Sequence, residues 1–329
     1  METATAFAPG RICLAGEDLD WIGGSCILCA IDLGTNVEVS ASKQPHVFEI
    51  IALGSVNSRL LLPDNRVGCY SLHILDYVNA SVKVLRDFGV NVESVTIKIS
   101  SNLPSKAGLA SSAALTVAVI KALCSYSKIA LSSLQIAHLA FLVEKDELKT
   151  GAGQMDQYSC AVGGLIYIDC GTIPPLNLEK IPVVKSNIMI VDTLTPRNTS
   201  DIIRHKRERF VNNDPSFLKY VNKTKILVDE MHSELISGRP DIKLLGRLLN
   251  QCHQTLRDDM KVSTDTIEKC VSILLNNGAF GVKITGTGAG GCVFGLVPDG
   301  DCQSVREKLM ELAVKVYVSK PFDYEQVGG

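Results

Sequence analysis

The sequence predicts an α+β protein of two domains. Three observations carry that expectation. The chain has 329 residues, more than one hydrophobic core usually organises. Its first part alternates short β-rich runs with turns, whereas its second part is dominated by stretches of helical period. Separate runs of strands and helices, without strict β–α alternation, favour α+β over a doubly wound sheet. The boundary is expected near 182–185, giving domains 1–184 and 185–329.

In chain order, apolar β-rich runs at 27–33, 36–42 and 47–53 read as strands, punctuated by glycine and asparagine. Leu72, Leu75, Val78, Val82 and Leu85 fall at helical spacing and predict a helix over 72–88. A strand at 95–100 leads into a glycine-containing loop, followed by an apolar helix to about residue 124 and a further helix over 132–147. Strands are expected at 165–169 and 186–193. Beyond them, helices are expected at 200–210, 215–237 and 242–257, with a glycine-rich segment at 286–291. No internal repeat or low-complexity tract is evident.

Bulk properties narrow the function. Hydrophobic residues make up 46% and charged residues 21%, the balance of a globular chain rather than a disordered one. A net charge of -2 gives no electrostatic reason for a nucleic-acid partner. The first ten residues, METATAFAPG, lack a basic start and an apolar run, so no secretory signal is expected. The apolar run at 284–297 is too short and too rich in glycine to span a membrane, and a cytoplasmic location is expected. The 11 cysteines are scattered and read as reduced, buried thiols. Cys26 and Cys29 form a CxxC, but no second pair stands at metal spacing, and the histidines are unpaired as well, so no zinc site is expected. The basic run Arg204, His205, Lys206, Arg207 and Arg209 reads as a solvated helix face.

The segment LPSKAGLASSAAL at 103–115 carries the first chemical signal. A loop entering a helix presents unpaired backbone N–H groups at the positive end of the helix dipole. Gly108, Ala110, Ser111 and Ser112 are small enough to let phosphate oxygens approach that backbone, and the serine hydroxyls can serve phosphate or magnesium. The same residues also suit an ordinary helix start with serine capping. The Walker pattern GxxxxGK[ST] is absent. Three further segments accompany the loop: APGR (8–11) leading into GEDLDWIGG (16–24), Glu144 ahead of GQMDQ (153–157), and KITGTGAGGC (283–292).

With these motifs in this order, the chain resembles the GHMP kinases, and within them the galactokinases. The galactokinase-like features are GE-x-x-D-x-x-GG at 16–24, AIDLGT at 30–35, Met155-Asp156-Gln157, and HQTLRDDMKVS at 253–263. The resemblance implies an N-terminal domain like ribosomal S5 domain 2, carrying the phosphate loop and catalytic aspartate, and a ferredoxin-like C-terminal domain. It implies ATP as co-substrate and Mg2+ as cofactor, and a small-molecule sugar partner. A monomer or homodimer is expected, with neither nucleic acid nor membrane as partner. Asp156 matches the family's catalytic base, where a carboxylate can accept the proton of an attacking hydroxyl. Arg11 matches the basic residue of the first motif, suited to stabilise the transferring phosphoryl group. Lys106, Ala107, Gly108, Leu109, Ala110, Ser111 and Ser112 are the ATP-binding candidates. Ser112 and Glu144 match the magnesium-associated positions. Glu17, Asp18, Asp20, Gly153 and Arg204 are the acceptor-binding candidates, since carboxylates accept directed hydrogen bonds from polyols. The 285–291 segment is expected to close near the active site, glycine permitting close backbone approach.

The chain departs from the galactokinase pattern at several points. Asp18 stands where histidine is usual, and Lys106 where the loop's first glycine is usual. Lys106 can reach phosphate or point to solvent. Lys149 and Gly151 replace a usual glycine and proline. Ile202, Ile203 and Arg204 occupy the place of a serine-glutamate-tyrosine group whose tyrosine lies by the sugar. The implied reaction is phosphorylation of the anomeric hydroxyl of galactose or a related aldose. Alternatives are another alcohol such as mevalonate, or a catalytically silent sugar-and-ATP sensor.

Overall fold

The structure is a computed structural model that describes residues 3–53, 57–71, 73–105, 107–175, 177–184, 186–196, 198–298 and 303–327. It contains two compact units whose segments interleave along the chain. The first comprises the N-terminal residues to Gly10, Leu33–Leu103 and Ala110–Val162; the second comprises Arg11–Asp32, Pro104–Leu109 and the chain from Gly163 onward.

Two long strands begin the chain and run through both units, β1 (Thr3–Ala15) and β2 (Ser25–Ala41). The sequence suggests two short strands where β2 is one. Gly34 and Asn36 do not break it, because Gly34 is a site of close approach. A side chain there would meet the Ala8 carbonyl oxygen at 2.3 Å and the Phe7 ring. β1, with Pro9 and Gly10 inside it, was not anticipated as a strand. Its place in the sheet is beside β2 alone, where a residue without an N–H is tolerated.

In the first unit, β3 (Val47–Leu53) pairs antiparallel with β4 (Ser58–Pro63) and parallel with β5 (Val95–Ser101), and β5 pairs antiparallel with the 35–41 part of β2. Helix α1 (Asp76–Asp87) starts later than the periodicity suggests. The Asp76 carboxylate accepts from the Ser71 and His73 amides and holds the preceding residues in a turn; Leu72 lies outside the described residues. Helix α2 (Ser111–Tyr126) is buried almost all round, as its unbroken apolar sequence requires, and packs against α1, α3 (Ser133–Leu142) and α4 (Met155–Val162). A capping box at Ser132 and Gln135 starts α3, and a π-helical turn, Val143–Glu147, ends it.

In the second unit, β6 (Leu165–Asp169) pairs antiparallel with the 25–29 part of β2 and with β7 (Asn177–Ile181). A four-stranded antiparallel sheet follows, built from β8 (Asn187–Asp192), β9 (Gly281–Ile284), β10 (Cys292–Val297) and β11 (Lys315–Ser319) in the order β11-β8-β10-β9. Helices α5 (Thr199–Val211), α6 (Pro215–Leu235), α7 (Ile242–Asp258) and α8 (Asp265–Asn276) lie between β8 and β9, and α9 (Gln303–Met310) between β10 and β11. This is the split βαβ plan of a ferredoxin-like fold, with extra helices in its first crossover. α7 meets β9 through two glycines: a side chain on Gly246 would reach the Phe280 carbonyl oxygen at 2.0 Å. Among the described residues, no helix is long and apolar enough to cross a membrane.

Candidate functional site

The glycine loop belongs to the second unit up to Leu109, and the helix it feeds belongs to the first. Gly108 has φ +88°, open to glycine at little cost, and Ala110 sits in the left-handed region at φ 60° as the N-cap of α2. That N-cap makes no side-chain hydrogen bond, so Ser111 and Ser112 start the helix without capping it. Serine capping therefore does not explain the sequence here, and the first turn keeps the polarity of an anion-binding helix start. Lys106 lies outside the described residues.

Within the second unit, the loop backbone is gripped from two directions. Arg11, buried at the second-unit end of β1, donates from its amide to the Leu109 carbonyl at 3.1 Å and from Nη1 to the Gly108 carbonyl at 2.6 Å. Cys292 N donates to the Ala107 carbonyl at 2.8 Å, and Thr285 Oγ1 donates to the Gly108 carbonyl at 3.4 Å. A side chain on Gly286 would come within 2.8 Å of the Gly108 Cα. The 285–291 segment thus packs directly on the loop, and its glycine is required by that approach rather than by a turn alone.

The acidic motif at 16–24 forms a second cluster in the same unit. Glu17 is 2% exposed and paired with Lys283, which is itself fully buried on β9. Lys283 also donates to the carbonyls of Cys13 at 3.0 Å and Ile284 at 2.8 Å, which uses all three of its N–H donors. Asp18 Oδ2 accepts from Lys206 Nζ on α5 at 2.7 Å, with Lys206 only 2% exposed. Asp20 is buried nearby in the chain. The Tyr220 hydroxyl on α6 donates to the Glu17 carbonyl at 2.6 Å. Trp21 packs against Phe210 and Phe217, with the Arg207 guanidinium 5.3 Å from its ring centroid. The basic run on α5 is therefore not a uniformly solvated face: Lys206 turns inward and Arg207 covers Trp21. Arg204 does lie outward, 69% exposed, in ion pairs with Asp201 and Glu208.

In the first unit, Ser112 stands in the first turn of α2 and is half-buried. The π turn after α3 carries Glu144 inward, where it is 4% exposed and accepts from Gln157 Nε2 at 2.8 Å. Burial, with Asp156 adding like charge, pushes the Glu144 carboxyl up to about 7; its hydrogen bonds oppose the shift without cancelling it. Asp156 stands in the first turn of α4, partly exposed, and not in an irregular turn. Gly153 lies in the irregular stretch just before that helix. Lys283 and Gln157 were not singled out from the sequence, although both lie inside the quoted motifs, which was the available signal; Lys206 stood in the basic run read as a solvated face, and its burial overturns that reading for this residue.

Cys26 and Cys29 do not form a metal pair. Three residues apart on β2, they point to opposite faces of the sheet, and the Cys26 thiol donates to the Gly16 carbonyl at 3.0 Å.

Three family models match the chain: GHMP kinases N terminal domain over 76–164, GHMP kinases C terminal over 231–314, and the galactokinase galactose-binding signature over 1–41. A mevalonate kinase of Thermococcus sibiricus is 30% identical over 306 residues, covering 89% of each chain. A galactokinase of Clostridium perfringens is 26% identical over 339 residues, covering 90% of this chain and 86% of that one. Among solved structures, the Methanococcus jannaschii mevalonate kinase is similar with a TM-score of 0.82 at 23% identity, covering 98% of this chain and 99% of its own. Lactococcus lactis galactokinase complexed with galactose is similar with a TM-score of 0.83 at 20% identity, covering 98% of this chain and 94% of its own. These two show the shared fold.

Proposed function

Since the chain belongs to the GHMP kinase family, we propose that it transfers the γ-phosphoryl group of ATP to the anomeric hydroxyl of galactose or a related neutral aldose. The observation that carries the choice of acceptor is the ion pairing of the acidic motif. Both buried lysines there are already committed to carboxylates, Lys283 to Glu17 and Lys206 to Asp18. An acceptor bearing its own carboxylate, such as mevalonate, would need a cation that these pairs do not release. A neutral polyol needs only hydrogen-bond acceptors, which Asp18 and Asp20 supply.

In this reading Asp156 accepts the proton of the acceptor hydroxyl as its oxygen forms a bond to the γ-phosphorus and the bond to ADP breaks. Ala107 to Ser112 hold the phosphates through backbone N–H groups and the two hydroxyls. Arg11 combines loop support with fixed positive charge beside the phosphates. Gly153 leaves room for the acceptor ahead of Asp156, and Glu17 supports the acceptor motif through its pair with Lys283. The first unit fits magnesium: Glu144 and Ser112 offer hard oxygen donors, and Glu144 is buried with the neutral Gln157 amide on its carboxylate. Bound there, the ion would neutralise phosphate charge. The division into domains 1–184 and 185–329 is part of the same proposal.

A coupled ADP-release assay over a panel of aldoses, with mevalonate included, tests the reading. Turnover of at least one neutral aldose, abolished by Asp156→Asn, is the expected result. Turnover of mevalonate with no aldose active overturns the sugar assignment. Full activity in Asp156→Asn overturns the role of the base.

A further inference from the structure

The basic run on α5 has one member that is buried and paired with an acid. Lys206 is the turned-in member of the run, nearly fully buried, and its ammonium sits 2.7 Å from Asp18 Oδ2. Asp18 is held on its other oxygen as well, since Trp21 Nε1 lies 3.5 Å from Oδ1. Its backbone adopts φ +67°, a conformation unusual for a residue with a side chain, so the carboxylate is presented from a kinked segment. Around this group the helices close in: Arg207 and Phe210 of α5 and Phe217 of α6 cover Trp21, and Tyr220 of α6 anchors the Glu17 carbonyl.

We propose that Lys206 is a positioning residue for the acceptor alcohol, acting through Asp18: the ammonium fixes which way the carboxylate's oxygens face, so that the pair sets which alcohol is accepted. The inference rests on the phosphotransfer reading and deepens it at the same site. The physical argument has three parts. A carboxylate this buried is stable as an anion only with a partner, and Lys206 is that partner. A single point charge on a flexible stem would not orient Asp18 alone, but Lys206 on one oxygen and Trp21 on the other leave it little freedom to rotate. A carboxylate can only accept hydrogen bonds, so substrate hydroxyls must donate to it. Arg204, two residues earlier, is exposed and engaged with Asp201, and takes no part in this arrangement.

The test is steady-state kinetics on the full-length protein with ATP, Mg2+ and whichever panel alcohol the wild type phosphorylates. Lys206→Met is expected to raise the acceptor KM by about tenfold or more and to leave the ATP KM within about twofold, with Lys206→Arg recovering part of the loss. If Lys206→Met leaves Asp18 as an unpaired buried charge and does not fold, the double variant Lys206→Met/Asp18→Asn removes both charges. It is expected to fold and to show the same selective rise in acceptor KM. A folded variant whose acceptor KM is unchanged, or whose acceptor and ATP KM rise together, overturns the proposal. So does failure of both neutral variants to fold, which would make the pair purely structural. A wild type that phosphorylates no alcohol overturns the phosphotransfer reading, and this proposal with it. An active wild type with indifferent variants overturns this proposal alone.

Discussion

Buried carboxylates occur in both units of this protein, and the two sets are handled in opposite ways. In the second unit, Glu17 and Asp18 each face a lysine as buried as themselves. In the first, Glu144 is equally buried but is held by the uncharged Gln157 amide, and its carboxyl rises to about 7. Burial alone therefore does not decide how a carboxylate is accommodated; the type of partner does. A carboxylate paired with lysine has its countercharge within the protein, while its remaining lone pairs can still accept hydrogen bonds. A carboxylate held by a neutral amide finds no countercharge in that contact.

The strongest way to break this comparison is at the chemistry it is meant to serve. Asp156→Asn should lower turnover by roughly 10²- to 10⁴-fold while nucleotide binding, followed by calorimetry, stays near wild type. An equal loss in both would mean the aspartate holds the fold rather than the proton.

Next comes the paired set. Lys283→Met leaves Glu17 buried beside an apolar chain and should cost about 3–5 kcal/mol in urea unfolding. Adding Glu17→Gln should return most of that loss. If the double variant is no more stable than the single one, the pair is not the source of the cost.

The neutral-partner set makes a pH prediction. A carboxyl raised in the folded state binds its proton more tightly there than in the unfolded chain. The stability it allows is then fully present below the ordinary carboxylate range and is lost as pH climbs through about 7. Glu144→Gln should remove that decline and, at pH 8 without metal, stabilise the protein by ~1–3 kcal/mol in denaturant melts. A variant with the same pH slope as wild type would assign the decline to other groups.

The smallest effect is expected at Arg204, exposed and paired only along its own helix. Arg204→Ala should shift stability by no more than about 0.5 kcal/mol. A large rise in acceptor KM in this variant would return Arg204 to the site.

Much of the fold was legible residue by residue. The runs at 47–53 and 165–169 are the strands β3 and β6 to the residue, and helices α5, α6 and α7 lie within a residue or two of their periodic patterns. Period and turn chemistry are local, so a window of sequence suffices for them. Glycine misled the reading at Gly34, because a breaker and a site of close approach look alike until the neighbouring strand is known. The π turn that aims Glu144 was hidden inside a helical pattern that did not change period.

At the site, sequence order was enough to assemble the motifs, since each needs small or acidic residues at short range. It was not enough to say which charges meet. Lys206 lies 188 residues from Asp18 and Lys283 lies 266 from Glu17, and neither pairing leaves a trace in local spacing. The sequence by itself determined the α+β class and the order of the kinase-family motifs. Only the tertiary structure decided that two of the three acids in the 16–24 motif are matched by buried lysines while Glu144 is not. The reason is that the free energy of a buried charge is set by whatever the fold places around it.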